Sequence, residues 1–318
     1  MRDATSNELP RKQEATGSSL SVVLRRWLSG EVNERELAVL LLMPAGLLIL
    51  SVVVYPLGRM VWLSFQSFIL TRPRDIRFIG FANYVNMLTD ESLHNSLRVT
   101  VVYVIGSIVF PAILGMTMAL IVNRTFSGRW IARLAVIMPW AMPRSLSAVI
   151  WSWLLQPTSG VLNDILLRTG LVSSPVNWLG DANLAMVSLI MATTWKTAAF
   201  VALILLAGLQ SIPEELYESA SLDGASSKQK FLFVTLPLLK PHLLIALIFR
   251  TLNALQNLDF PYALTQGGPG TATRPLSMYV HRVTLGHLNF GYGAALALLM
   301  IAISIALTVW YMRVLRTR

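Results

Sequence analysis

Residues 211–241 read SIPEELYESASLDGASSKQKFLFVTLPLLKP, a polar stretch set between two long apolar runs. Ser211 followed three residues later by Glu214 has the form of a capping box, and Pro213 suits an early helical position. Leu216, Tyr217, Ala220 and Ala225 recur at helical spacing, while Glu214, Glu215, Glu218 and Asp223 fall on other faces. Gly224 permits a turn or a close backbone approach. A second helical run then passes through Phe231, Phe233 and Val234 to Leu236-Pro237 and Pro241. The stretch is predicted to be a short amphipathic helix–turn–helix standing off the apolar runs that flank it.

Outward from this loop, six apolar stretches meet the length of about 20 residues that a helix needs to cross a bilayer. They fall at about Leu37–Ser64, Thr100–Val122, Ile131–Leu155, Leu184–Leu209, Leu243–Ala263 and Gly291–Val314. Composition agrees: 54% of the 318 residues are hydrophobic and 13% charged, against roughly 25% charged in a soluble domain. The expectation is an all-α membrane protein with six transmembrane helices. Residues 1–36 form a polar N-terminal segment unlike a signal peptide, residues 37–318 the membrane domain, and residues 210–241 its long loop. Within the first segment, Ser19–Leu28 is expected to lie as a short helix on the membrane. Pro44, Pro56, Pro111, Pro139 and Pro143 fall inside spans and are expected to kink them. No internal repeat of the inverted-transporter kind is visible.

Basic residues orient the chain. The N-terminal segment carries Arg2, Arg11, Lys12, Arg25, Arg26 and Arg35; Arg124, Arg129 and Arg133 follow span two; Lys228, Lys230 and Lys240 sit in the long loop; Arg313, Arg316 and Arg318 end the chain. Arg72, Arg74, Arg77, Arg98, Arg168, Arg274 and Arg282 occupy the opposite side. The heavier side is predicted to be cytoplasmic, and with it both termini and the 210–241 loop. Topology thus accounts for the net charge of +10 without nucleic acid.

The loop resembles the signature EAA-x3-G-x9-I-x-LP of permeases of binding-protein-dependent ATP-binding-cassette (ABC) importers. Glu218-Ser219-Ala220, Gly224, Val234 and Leu236-Pro237 stand in register, with Ser219 and Val234 as mild departures. Asp223-Gly224-Ala225 and Leu236-Pro237-Leu238 match the longer string of the carbohydrate branch. Leu264 to Gly270 is similar to the TGGGP segment of MalF-type subunits, with Gln266 for a glycine. Met43–Gly46, Tyr55-Pro56 and Phe81-Ala82-Asn83-Tyr84 fit the same branch. The resemblance implies a MetI/MalF-like type I importer permease fold in a bacterial or archaeal inner membrane. It further implies a MalG-type second permease, an ATPase dimer that uses ATP and Mg, and an extracytoplasmic solute-binding protein. By the same resemblance, the loop docks on the ATPase, through Glu218, Ser219, Ala220, Asp223 and Gly224 chiefly, with Leu236 and Pro237 completing the signature.

Polar residues inside lipid are costly and usually face a cavity or another helix. Span five carries Arg250, Thr251, Asn253, Gln256, Asn257 and Asp259, with Tyr262 following; span four carries Thr193, Thr194, Trp195, Lys196 and Thr197; span three has Trp140 and Arg144. Amides and a carboxylate suit sugar hydroxyls, and aromatic rings suit the apolar face of a sugar. Asn253, Gln256, Asn257, Asp259, Trp195 and Lys196 are the expected solute path, a choice that the resemblance also implies by placing solute contact in the middle of span five, although at 100° per residue the four in that span cannot share one face. Interhelical pairing of Arg250 or Lys196 with Asp259 is the competing reading, and glycerol-3-phosphate the competing solute.

Other functions find less support. There are no cysteines, and His94, His242, His281 and His287 show no metal-ligand spacing. No GxxxxGK[ST] loop is present, so ATP chemistry falls to a partner and the chain binds no cofactor itself. A membrane enzyme would need an acid–base pair, and Asp259 stands without a histidine or cysteine near it in sequence. A lone channel or secondary carrier would have no use for the loop.

Overall fold

A computed structural model describes residues 34–316. The surface helix expected at Ser19–Leu28 and the basic residues Arg2 to Arg26 and Arg318 lie outside the described residues. The described residues fall into two units that divide between Arg59 and Met60. In the first, α1 (Glu34–Ile49) passes through a π-helical turn (Leu50–Val54) into α2 (Tyr55–Ser64), which continues past Arg59 and completes the apolar span Leu37–Ser64.

The second unit goes on with a small antiparallel hairpin, β1 (Gln66–Ser67) and β2 (Arg77–Phe78), and α3 (Ala82–Met87). Asn83 and Tyr84 are structural here: the Asn83 amide donates to the carbonyls of Ser64 and Gln66, and the Tyr84 hydroxyl pairs with Ser64 Oγ at 2.7 Å. Then come α4 (Glu91–Asn123), α5 (Arg129–Ala141), α6 (Arg144–Leu154), α7 (Val161–Arg168) and α8 (Ala182–Gln210). The long loop holds α9 (Glu214–Leu222) and α10 (Ser227–Lys230), which runs through a second π turn (Phe231–Thr235) into α11 (Leu236–Leu255). Helices α12 (Leu276–His281) and α13 (Phe290–Arg316) close the chain.

Among the described residues, five helices are long and apolar enough to cross a membrane, and α5 with α6, bent by 100° at the break between them, pass the same test of length and composition as a pair. The architecture is thus the expected all-α membrane fold, with three local corrections. Span three, expected to be continuous from Ile131 to Leu155, breaks at Met142-Pro143, where Met142 turns extended (ψ 148°). Proline disfavours the helical region in the residue before it. Span five, expected at Leu243–Ala263, begins earlier and its helix ends at Leu255, so Asn257 and Asp259 lie beyond it. The capping box is formed by Ser226 and Gln229 rather than Ser211 and Glu214. Ser211 ends α8 instead, its hydroxyl donating to the Gly208 carbonyl at 2.8 Å, and Pro213 opens α9 without a side-chain cap.

The core lies where α4 packs along α8, with α11 against both. Small residues permit the approach: a Cβ on Gly115 would sit 2.7 Å from Val201 Cβ and 2.8 Å from the Ala198 carbonyl oxygen. Ala119, Val201, Ala202, Leu205 and Leu239 fill the seam. At the far end, Asp90 caps α4 by accepting from the Leu93 amide, and its other oxygen accepts from the hydroxyls of Tyr279 and Tyr292, both at 2.6 Å.

Candidate functional site

The signature loop is a helix ending built to be presented. Helix α9 stops at Asp223, and Gly224 adopts the left-handed conformation (φ +76°) that L side chains resist. The Ala225 amide donates to the Ala220 carbonyl and the Gly224 amide to the Ser221 carbonyl. This is the Schellman arrangement, in which the glycine must stand four residues after the residue whose carbonyl is closed off. The x3 spacing between Ala220 and Gly224 is that requirement written in sequence. Two ties brace α9 on the following helix: the Tyr217 hydroxyl to Thr235 Oγ1 at 3.0 Å and Lys230 Nζ to Ser221 Oγ at 2.6 Å. Glu218, Ser219, Asp223, Gly224 and Pro237 are exposed, and Ala220 and Leu236 half-buried. Leu222, which sequence reasoning passed over, is 90% exposed on the last turn of α9.

Pro237 has a second effect. It lacks the amide that would continue the helical ladder, and the π turn immediately before it takes up the change of register. The π turn at Leu50–Val54 stands in the same place relative to Pro56.

The second region is a cavity of about 520 Å3 lined by Trp140, Met142, Pro143, Arg144, Lys196, Thr197, Phe200, Phe249, Arg250 and Asn253. It opens where span three breaks. The break frees carbonyls at the C-terminal end of α5, and the buried Lys196 ammonium donates to those of Pro139 and Trp140, both at 3.1 Å, and of Met142. A cation at a helix C-terminus with three acceptors is well placed. Arg144, first residue of α6, donates to Asn253 Oδ1 at 2.9 Å and stands 3.7 Å from the Asp259 carboxylate, both side chains 48% exposed. Buried Arg250 donates twice to the Ser107 carbonyl, at 3.1 and 2.8 Å. Trp140 stacks on Phe200 (6.4 Å between centroids), and Phe200 meets Phe249 edge-on (6.1 Å).

Of the six residues expected to line a solute path, Lys196 and Asn253 line this cavity, and Asp259 reaches it through Arg144. Gln256 is exposed beyond the end of α11. Asn257 is buried elsewhere, donating to the Tyr103 hydroxyl at 2.6 Å and accepting weakly from the Phe260 amide. Trp195 faces a separate apolar hollow with Trp151 and Phe110, because on α8 it is turned about 100° from Lys196. The competing reading, a pairing of Arg250 or Lys196 with Asp259, is not what forms: Asp259 pairs with Arg144, and Arg250 and Lys196 bond to backbone carbonyls. Phe200 and Phe249 were overlooked; each stands four residues from a polar lining residue, Lys196 and Asn253, on the same helical face. Among the described residues, no group of histidine and carboxylate side chains is placed to hold a metal.

An arginine–carboxylate pair and an amide beside three aromatic rings can hydrogen-bond to hydroxyls and stack on an apolar ring face. Residues 111–318 match the family described as binding-protein-dependent transport system inner membrane component. The sulfoquinovosyl glycerol transport system permease protein of Agrobacterium fabrum is 43% identical over 297 residues, covering 92% of this chain and 94% of that protein. The trehalose/maltose transport system permease protein MalF of Thermococcus litoralis is 39% identical over 290 residues, covering 90% and 96%. Among solved structures, a bacterial ABC transporter involved in import of the acidic polysaccharide alginate superposes with a TM-score of 0.77 at 23% identity, covering 94% of this chain and 98% of that one.

Proposed function

The chain belongs to the binding-protein-dependent transport system inner membrane components, the permeases of ABC importers, and from that premise we propose that it passes a sugar as the MalF-type subunit of its complex. The observation that carries the coupling role is the presented end of α9. There an exposed Leu222 and a bare Gly224 backbone project beyond a self-braced helix. A rigid end with one apolar anchor suits docking into a groove on an ATPase subunit. Glu218 and Asp223 flank it with charge for basic groups on that partner. In this reading the loop and both termini are cytoplasmic, in keeping with the basic residues on that side. A MalG-type permease, the ATPase dimer and a solute-binding protein complete the assembly. Closure of the ATPase dimer on ATP moves α9, and the permease pair rocks between two discrete states.

Sugar transport is supported by the cavity at the break in span three, where Trp140, Phe200 and Phe249 lie beside Arg144 and Asn253. Sugar-transport permeases at 43% and 39% identity support it as well.

The test is to purify the chain with the subunits co-expressed beside it and assay ATP hydrolysis with and without Gly224→Asp. Hydrolysis stimulated by loaded binding protein is expected to fall by about tenfold or more in the variant while the two permeases stay assembled, since one anchor at a docking tip carries that much. If no ATPase co-purifies, and solute still crosses membranes containing this chain alone, the proposal fails in favour of a channel or carrier.

A further inference from the structure

We infer that the solute carries a negative charge: the cavity is built for an acidic sugar, and Arg144 takes its anion. This rests on the reading of the chain as a sugar permease and narrows it.

The argument is a count of charge where charge is expensive. Three residues lining the cavity are cationic, Arg144, Lys196 and Arg250. The segments that wall it hold one carboxylate to set against them. There is no Asp or Glu between Glu91 and Asp164, none between Asp181 and Glu214, and none from Asp223 to the last residue except Asp259. Lys196 and Arg250 are hydrogen-bonded, but to backbone carbonyls, whose dipoles satisfy donors and leave the net charge in place. Unbalanced cations at membrane depth are unfavourable, and charged groups there mark the path of a charged species. A neutral sugar would ask only for amides, hydroxyls and rings, and would leave the excess on this chain's wall of the path in place. An acidic sugar supplies the missing counter-charge each time it enters.

Arg144 is the group free to meet it. Lys196 and Arg250 are buried and committed to carbonyls, whereas Arg144 is half exposed, with its carboxylate at 3.7 Å and its hydrogen bond going to the amide oxygen of exposed Asn253 at 2.9 Å. A planar guanidinium matches a carboxylate or sulfonate with two parallel hydrogen bonds, a geometry an ammonium lacks. The solute anion would displace Asp259 from Arg144 and release that carboxylate to accept from sugar hydroxyls, while the Trp140 and Phe249 rings take the apolar face of the ring.

The test uses the assembled complex in nanodiscs of zwitterionic lipid, without binding protein, so that its selectivity does not intervene. Glucuronate, a 6-sulfonated deoxyglucose and glucose are titrated by calorimetry. Both acidic sugars are expected to bind about tenfold or more tightly than glucose, the worth of one charge-assisted pair. That preference should shrink at high salt and in Arg144→Gln, with Arg144→Lys retaining part of it. Equal affinity for glucose would overturn the inference, as would an acidic preference undiminished in Arg144→Gln, or no binding of either acidic sugar below about 10 mM. Should Arg144→Gln fail to assemble, the salt response of the unaltered complex decides. A complex that hydrolyses ATP in response to a loaded binding protein yet prefers glucose sinks this inference alone. A preparation with no ATPase sinks the permease reading beneath it.

Discussion

Lys196 stands in the middle of a long apolar helix, and its three carbonyl partners lie 54 to 57 residues earlier in the chain. Replacing it by methionine keeps the volume and leaves those carbonyls at the break without donors. Lys196→Met is therefore expected to cost about 1–3 kcal/mol, the penalty for orphaning buried polar groups, read as a lower thermal midpoint in detergent. An unchanged midpoint would mean that the break in span three is held by other contacts. The same residue shows what could be seen in advance. A charge in a span signals importance, but whether it touches solute or backbone depends on partners far away in sequence, and the same is true of Asn257, whose amide reaches Tyr103. The loop was legible for the opposite reason. The two backbone bonds that close the turn, Ala225 to Ala220 and Gly224 to Ser221, are made within that stretch, so its spacing describes its geometry. Leu222 escaped notice because a leucine at helical spacing reads as a packing residue until its exposure is known.

Helices α4 and α8 meet where Gly115 faces Ala198 and Val201. Because one of the nearest atoms is a backbone oxygen, the neighbour cannot move aside as a side-chain tip would. Gly115→Leu is expected to separate the pair and destabilise the unit by about 1–3 kcal/mol, as overpacking does, measured as loss of folded protein on heating in detergent. A midpoint equal to the parent's would show that the seam is looser than the structure implies. At this scale the six spans were visible from hydrophobic length, and the ends of α8 and α13 fell within two residues of expectation. Span three was read as unbroken because its apolar content is continuous across the bend. Pro139 and Pro143 read in sequence as kinks; that the second is a full break, with its carbonyls met by Lys196 from another helix, depends on a contact distant in sequence. The extent of span five was misjudged because polar Asn257 and Asp259 were counted into a helix that ends at Leu255.

Across the molecule, Asp90 draws together the start of α4, helix α12 and helix α13. Burial raises its pKa, but the hydroxyls of Tyr279 and Tyr292 and the amides of Leu93 and Ser92 outweigh that and hold it below the ordinary value of 3.8. A depressed carboxylate contributes stability that is present above its unfolded pKa and lost as pH falls through the folded one. The melting midpoint should therefore drop on acidification below about pH 4. Asp90→Asn should start lower at neutral pH and show a shallower fall; parallel curves for the two proteins would remove Asp90 from this role. The π turn at Phe231–Thr235 has a different kind of reach. Taking one residue out of it would shorten the path from Gly224 to the cavity by only about 1.5 Å, yet turn all of α11 by about 100°. Asn253 and Phe249 would swing off the cavity wall while the docking tip stayed where it was. What this segment preserves between its two ends is rotational phase, and a single-residue deletion there would leave both ends intact and out of step.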